Sequence, residues 1–201
     1  HDKRGQQIIL IGHAGHPEVI GTMGQLPKGA VLLVENVRDV EKLAVTDPAR
    51  LTYITQTTLS VDETKEIVAA LKARFPRITA PKKEDICYAT TNRQAAVQAM
   101  APKVDALAVI GSKNSSNSNR LVEVAKSYGC AKSFLVDSAQ EIDWAQLKNI
   151  KTLGLTAGAS APEILVQNVI KAAEDFFDVS LETITLAEET ITFRLPRILA
   201  G

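Results

Sequence analysis

The stretch Gln6-Gln7-Ile8-Ile9-Leu10-Ile11-Gly12-His13-Ala14-Gly15-His16-Pro17-Glu18 decides the fold. An unbroken apolar run this short, bounded by polar residues, reads as a strand buried on both faces of a parallel sheet. Gly12 to His16 is a polar loop, and the segment from Glu18 to Gln25 reads as a short helix. Strand, polar loop and helix then recur along the chain. Strands are predicted at 30–35, 51–55, 106–111, 133–136 and 152–156. Helices are predicted at 37–45, 61–74, 92–100, 120–128, 139–148 and 163–177. Ser60 and Glu63 have the spacing of a capping box for the helix at 61–74, whose Ile67, Val68, Leu71 and Phe75 keep helical period. The expected class is therefore α/β, built of small parallel-sheet βα units with helices on both faces. Pro76, Pro81 and the charged run Lys82-Lys83-Glu84 mark a boundary between two units. His1 to Gly5 reads as the tail of a helix, and the Thr- and Ile-rich segment from Leu181 to Phe193 as extended chain.

Bulk composition narrows the function classes. Of 201 residues, 45% are hydrophobic and 23% charged, as in an ordinary globular protein. Lys plus Arg and Asp plus Glu are equal at 23 each, so no net field steers the chain onto nucleic acid or an anionic membrane. The apolar runs are too short to span a bilayer. Two cysteines in unlike surroundings suggest reduced thiols and a cytoplasmic setting. Cys130 reads as a small core residue.

The loops carry the chemistry. In parallel sheets, ligands gather where strands end and helices begin, because helix N-termini offer unpaired N–H groups and partial positive charge. Ser115, Ser116, Asn117 and Ser118 lie in one such loop, Gly158 and Ser160 in another, and Thr57, Thr58 and Ser60 in a third. Any one of these hydroxyls could be a plain helix cap. Their recurrence at equivalent positions points instead to a cradle for a diphosphate. Glu18 is a candidate proton donor, and His16 could bond a substrate oxygen; the alternative is that His16 caps the helix and Glu18 offsets its dipole. His13 receives no role. Cys87, in Asp85-Ile86-Cys87-Tyr88-Ala89-Thr90, reads as buried filler, nucleophile or metal ligand. Zinc would want further Cys or His close by, and an iron–sulfur cluster takes three or four thiolates. No Gly-x-Gly-x-x-Gly or Gly-Lys-Thr phosphate loop occurs.

The runs GHAGHPEVIGTMGQ from Gly12, TQTTLSVDET from Thr55, DICYATTNRQ from Asp85, GSKNSSNSNRL from Gly111 and TAGASAPEILVQNV from Thr156 resemble the LytB/IspH family. Its members are 4-hydroxy-3-methylbut-2-enyl diphosphate reductases. The resemblance implies an oxygen-sensitive enzyme of the non-mevalonate isoprenoid pathway with a [4Fe-4S] cluster. Such an enzyme removes an allylic hydroxyl with two electrons and two protons. Carried over by position, Cys87 is a cluster ligand and Glu18 the proton donor. His16 and Thr57 lie near the substrate, while Ser115, Ser116, Asn117 and Ser160 hold its diphosphate. Flavodoxin or ferredoxin would deliver electrons, in a bacterial cytoplasm or a plastid stroma. The resemblance further implies that residues 1–82 and 83–180 are the second and third of three similar units, followed by a tail at 181–201. Two cluster cysteines and two diphosphate-binding histidines would belong to the first unit. The expectation is that this chain alone does not hold a full cluster and is inactive by itself. The competing expectation is a clusterless diphosphate-binding module; a hydrolase using Cys87 is a third reading.

Overall fold

A computed structural model describes residues 5–187. His1 to Arg4 of the expected helix tail and the part of the extended tail beyond residue 187 therefore lie outside the described residues, and Gly5 sits in a turn. Residues 181–187 carry no helix or strand.

Two three-stranded parallel sheets organise the chain. The first takes β1 (Gln7–Ile11), β2 (Val31–Val34) and β3 (Leu51–Thr55) in the order β2-β1-β3. The second takes β4 (Ala106–Ile110), β5 (Ser133–Val136) and β6 (Leu153–Ala157) in the order β5-β4-β6. Helices α1 (Pro17–Met23), α2 (Val37–Lys42) and α3 (Val61–Arg74) follow the first three strands in turn. Helix α4 (Tyr88–Met100) leads into the second sheet, and α5 (Ser116–Ser127) and α6 (Glu163–Glu174) follow β4 and β6. The central strands are apolar because both faces are covered: every residue of β4 is buried, as are Ile8 to Ile11 of β1. Ile9, Leu51, Leu71 and Tyr53 anchor one core, while Leu107, Val109, Leu121 and Val97 anchor another.

The two sheets repeat one plan down to individual backbone bonds. Gly12 N–H donates to Val34 O and Gly111 N–H to Val136 O. Gln56 N–H donates to Ile11 O and Gly158 N–H to Ile110 O. The carboxyl ends of β1 and β3, and of β4 and β6, thus form equivalent crevices where the strand order reverses.

Several sequence expectations change in detail. Helix α4 begins at Tyr88 rather than Asn92, because its buried positions Thr90 and Gln94 are polar and hide the helical period. Gln94 is satisfied there, donating to Leu59 O at 2.7 Å and accepting from Val61 N–H at 3.0 Å. The helix predicted at 139–148 is instead two short 3-10 turns, Ala139–Glu141 and Trp144–Leu147, the second capped by Asp143. Ser60 caps α3 by accepting from Glu63 N–H, but the reciprocal half of the box is replaced: the Glu63 carboxylate accepts from Arg120 of α5. Residues 75–87 form no regular element beyond a bridge from Thr79 to Thr52, which extends the β3 edge.

Candidate functional site

Glu18 and Thr57 meet at the first crevice. Helix α1 projects Glu18 from its first turn toward the loop after β3. There the carboxylate accepts from Thr57 N–H at 3.0 Å through Oε1 and from the Thr57 hydroxyl at 2.9 Å through Oε2. His16 caps the same helix, its Nδ1 accepting from Glu18 N–H at 3.2 Å. That bond fixes the neutral tautomer, so Nε2 carries the proton and is free to donate. The plain capping role and the functional one are therefore compatible.

Cys87 is tied to the same residue. Its N–H donates to Thr57 O at 3.1 Å, and Asp85 Oδ2 accepts from Thr55 N–H at 3.0 Å. Two pins thus lay Asp85 to Cys87 along the end of β3. Burial first, and the Asp85 carboxylate second, raise the Tyr53 hydroxyl above its ordinary range. The Cys87 thiol is exposed at the N-cap of α4 and makes no capping bond. Cys130, by contrast, is buried in the core against the second sheet, as expected for a structural residue.

The second crevice holds the polar loop of β4. Ser115 caps α5, accepting from Ser118 N–H at 3.2 Å and from the Ser118 hydroxyl at 3.0 Å. A Cβ on Gly111 or Gly158 would lie 2.3 or 2.2 Å from Ser118 Oγ, so both glycines allow the strand ends to close on the helix. Asn117 is 6% exposed, yet neither its Oδ1 nor its Nδ2 has a partner. A buried amide with no bonds costs about 1–3 kcal/mol unless something binds it. Ser160 is exposed in the turn after β6, whose Gly158 packs against Asn117 and Ser118.

The two crevices join through a residue the sequence reading passed over. Gln56 is fully buried; its Oε1 accepts from His13 N–H at 3.1 Å and its Nε2 donates to Thr58 Oγ1 at 3.0 Å. Thr58 in turn shares a hydroxyl bond of 2.9 Å with Ser116. A polar, uncharged residue directly after a strand was the available signal, but it resembles any loop residue. A cleft of about 1030 Å³ lies alongside, lined by His13, His16, Glu63, Asn114, Ser116 and Arg120 among others. Of the predicted site residues, His16 and Ser116 line it; Glu18, Thr57, Cys87, Ser115, Asn117 and Ser160 do not.

Of the two cysteines, Cys87 alone is accessible to a metal or cluster. Among the described residues no group of three or more His, Cys, Asp or Glu side chains is placed to hold a metal ion. One accessible thiol is short of the three or four such a cluster takes.

Parallel βα units bring Ser-, Asn- and Gly-containing loops, an accessible thiol and a carboxylate–hydroxyl pair to joined crevices at the strand ends, the architecture of an α/β protein with its polar groups gathered there. The chain belongs to the LytB family, whose model, described as LytB protein, matches residues 1–174. It is 62% identical over 199 residues to a 4-hydroxy-3-methylbut-2-enyl diphosphate reductase of Ruegeria pomeroyi, covering 99% of this chain and 63% of that protein. A reductase of the same name from Hyphomonas neptunium is 60% identical, covering 100% of this chain and 64% of that one. Among solved structures, the E-1-hydroxy-2-methyl-but-2-enyl-4-diphosphate reductase of Plasmodium falciparum superposes with a TM-score of 0.91 at 38% identity, over 98% of this chain and 62% of that one. The chain thus spans just under two thirds of the length of these relatives. Among the described residues no helix is long and apolar enough to cross a membrane.

Proposed function

We propose that this chain forms part of a reductase that converts 4-hydroxy-3-methylbut-2-enyl diphosphate to isopentenyl and dimethylallyl diphosphate. In that reaction the allylic C–O bond breaks, two electrons and one proton convert the carbon to C–H, and a second proton leaves with the oxygen as water. The observation that carries the reading is the joining of three features at Thr57 and its neighbour: Glu18 on the Thr57 N–H and hydroxyl, Cys87 on its carbonyl, and Ser116 on the hydroxyl of Thr58, the next residue.

Glu18 and the Thr57 hydroxyl form a short path for moving a proton toward a leaving oxygen. His16 Nε2–H supplies a donor on the cleft side. Ser115, Ser116, Asn117 and Ser160 bind the diphosphate, Asn117 gaining the partners it lacks. Cys87 supplies one thiolate to a [4Fe-4S] cluster, which would bring the electrons and a Lewis-acidic iron. A flavodoxin or ferredoxin would recharge it. Because this chain offers one accessible thiol, further ligands must come from outside its described residues, and the chain alone is expected to be inactive.

The same shortage of thiols favours a second reading, a clusterless diphosphate-binding module. Iron and sulfide per chain after anaerobic reconstitution of the complete protein separate the two: a full cluster supports the reductase, and none supports the module. Both readings share the anion cradle, which Asn117→Ala tests in this chain. Affinity for inorganic pyrophosphate, read by calorimetry, is expected to fall on the order of tenfold. The melting temperature should hold or rise, because an unpartnered buried amide has been removed. Unchanged affinity would remove Asn117 from the cradle.

A further inference from the structure

Arg120 is the most enclosed cation described, its side chain 10% exposed, and no role so far uses it. It reaches from α5 across to the helix and loop of the first sheet. Nη1 lies 2.9 Å from Glu63 Oε2 of α3 and 2.6 Å from Glu123 Oε2 of its own helix. Nη2 lies 2.6 Å from His13 Nε2. A guanidinium only donates, so His13 Nε2 must accept, and the proton of the neutral imidazole sits on Nδ1. From His13 the path continues through its N–H to Gln56 Oε1, from Gln56 Nε2 to Thr58, and from Thr58 to Ser116. Ser116 and Arg120 are one turn apart on α5, on the same face. The bonds therefore close into a ring through Arg120, His13, Gln56, Thr58 and Ser116 that straddles both units.

We propose that Arg120 is a positioning residue: it closes this ring and thereby seats the first turn of α5, with Ser115 to Asn117, against the loop that carries His16 and Glu18. His16 N–H donates to His13 O at 3.2 Å, so the seat of His13 is also the seat of His16. Rotation of α5 away from the first sheet and its loops must break the ring at Arg120 or at Ser116. The inference rests on the cradle reading for its functional consequence, while the ring itself rests only on the bonds named.

Arg120→Met tests it in this chain. The partners Glu63 and Glu123 are 62% and 59% exposed, so water takes over both carboxylates and the variant is expected to fold. Nitrogen-15 chemical shifts are expected to show His13 leaving the Nδ1–H tautomer. Exchange of the His13 amide should speed up by about tenfold or more, while the Ser118 amide, capped within α5, keeps its rate. Glu63→Gln, at an exposed partner, should move both His13 signals in the same direction by less. Pyrophosphate affinity should fall in Arg120→Met although Arg120 is not among the cradle residues. A folded Arg120→Met chain with its His13 tautomer and amide exchange unchanged overturns the proposal. If the unsubstituted chain binds no pyrophosphate, the cradle reading fails, and the two His13 signals still decide the ring.

Discussion

Cys87→Ser is expected to abolish reductase turnover in the complete protein while leaving the fold, compared with the unsubstituted protein in cluster-free form, as stable as before or more so. Loss of an outer partner of a metal ligand already costs about 10–100-fold, so loss of a ligand itself should exceed the upper end of that range. The cluster's visible absorption and its iron content should fall together with turnover. Stability should move the other way. Cys87 is exposed and makes no side-chain cap, whereas serine at the same N-cap can accept from the backbone of the first turn of α4. A helix cap of that kind contributes about 0.5–2 kcal/mol. Anaerobic turnover, iron analysis and thermal melting on one preparation check all three. A variant that keeps its cluster and its rate would take Cys87 out of the ligand set.

Glu18→Gln carries the second large effect. Glutamine is nearly isosteric, its oxygen can still accept from Thr57 N–H, and its amide can donate to the Thr57 hydroxyl. The local geometry should survive, while the transferable proton is lost. Turnover is expected to fall by about 10²–10⁴-fold, the usual worth of a positioned acid. Substrate affinity should stay within a few-fold, because the anion loops are untouched. Single-turnover kinetics and equilibrium binding on the complete holoprotein separate the two quantities. A large loss of affinity with turnover preserved at saturation would make Glu18 a binding residue instead.

Much of the architecture was legible because burial imposes a simple pattern. Ile8 to Ile11 and Ala106 to Ile110 are continuous apolar runs for the reason that both sheet faces are covered. Val61–Arg74 matched its prediction, since its buried Ile67 and Leu71 keep helical spacing. The pattern failed where polar groups are buried. Thr90 and Gln94 hid the first turn of α4, and Asn117, Ser118 and Arg120 hid that of α5, although they lie on the same face as Leu121 and Val124. These are the turns that carry Cys87 and the anion loop, so the element boundaries were least legible where the site is.

The candidate residues were legible as types, and their connections were not. Glu18, Thr57 and Cys87 are far apart in sequence, and no spacing rule brings them together; parallel pairing of β1 with β3 does. Gln56 and Arg120 escaped notice because a glutamine after a strand and an arginine on a helix are commonplace. Only their burial and their bonds across the two units mark them.

The most direct measurement is product analysis. The complete protein, reconstituted anaerobically with iron and sulfide, is given a chemical reductant and 4-hydroxy-3-methylbut-2-enyl diphosphate, and the organic products are separated and identified. The account predicts consumption of the substrate with isopentenyl and dimethylallyl diphosphate formed, one water released for each two electrons taken up. Substrate that binds and is recovered unreduced from a cluster-loaded protein would contradict it, and would leave a diphosphate-binding protein in place of a reductase.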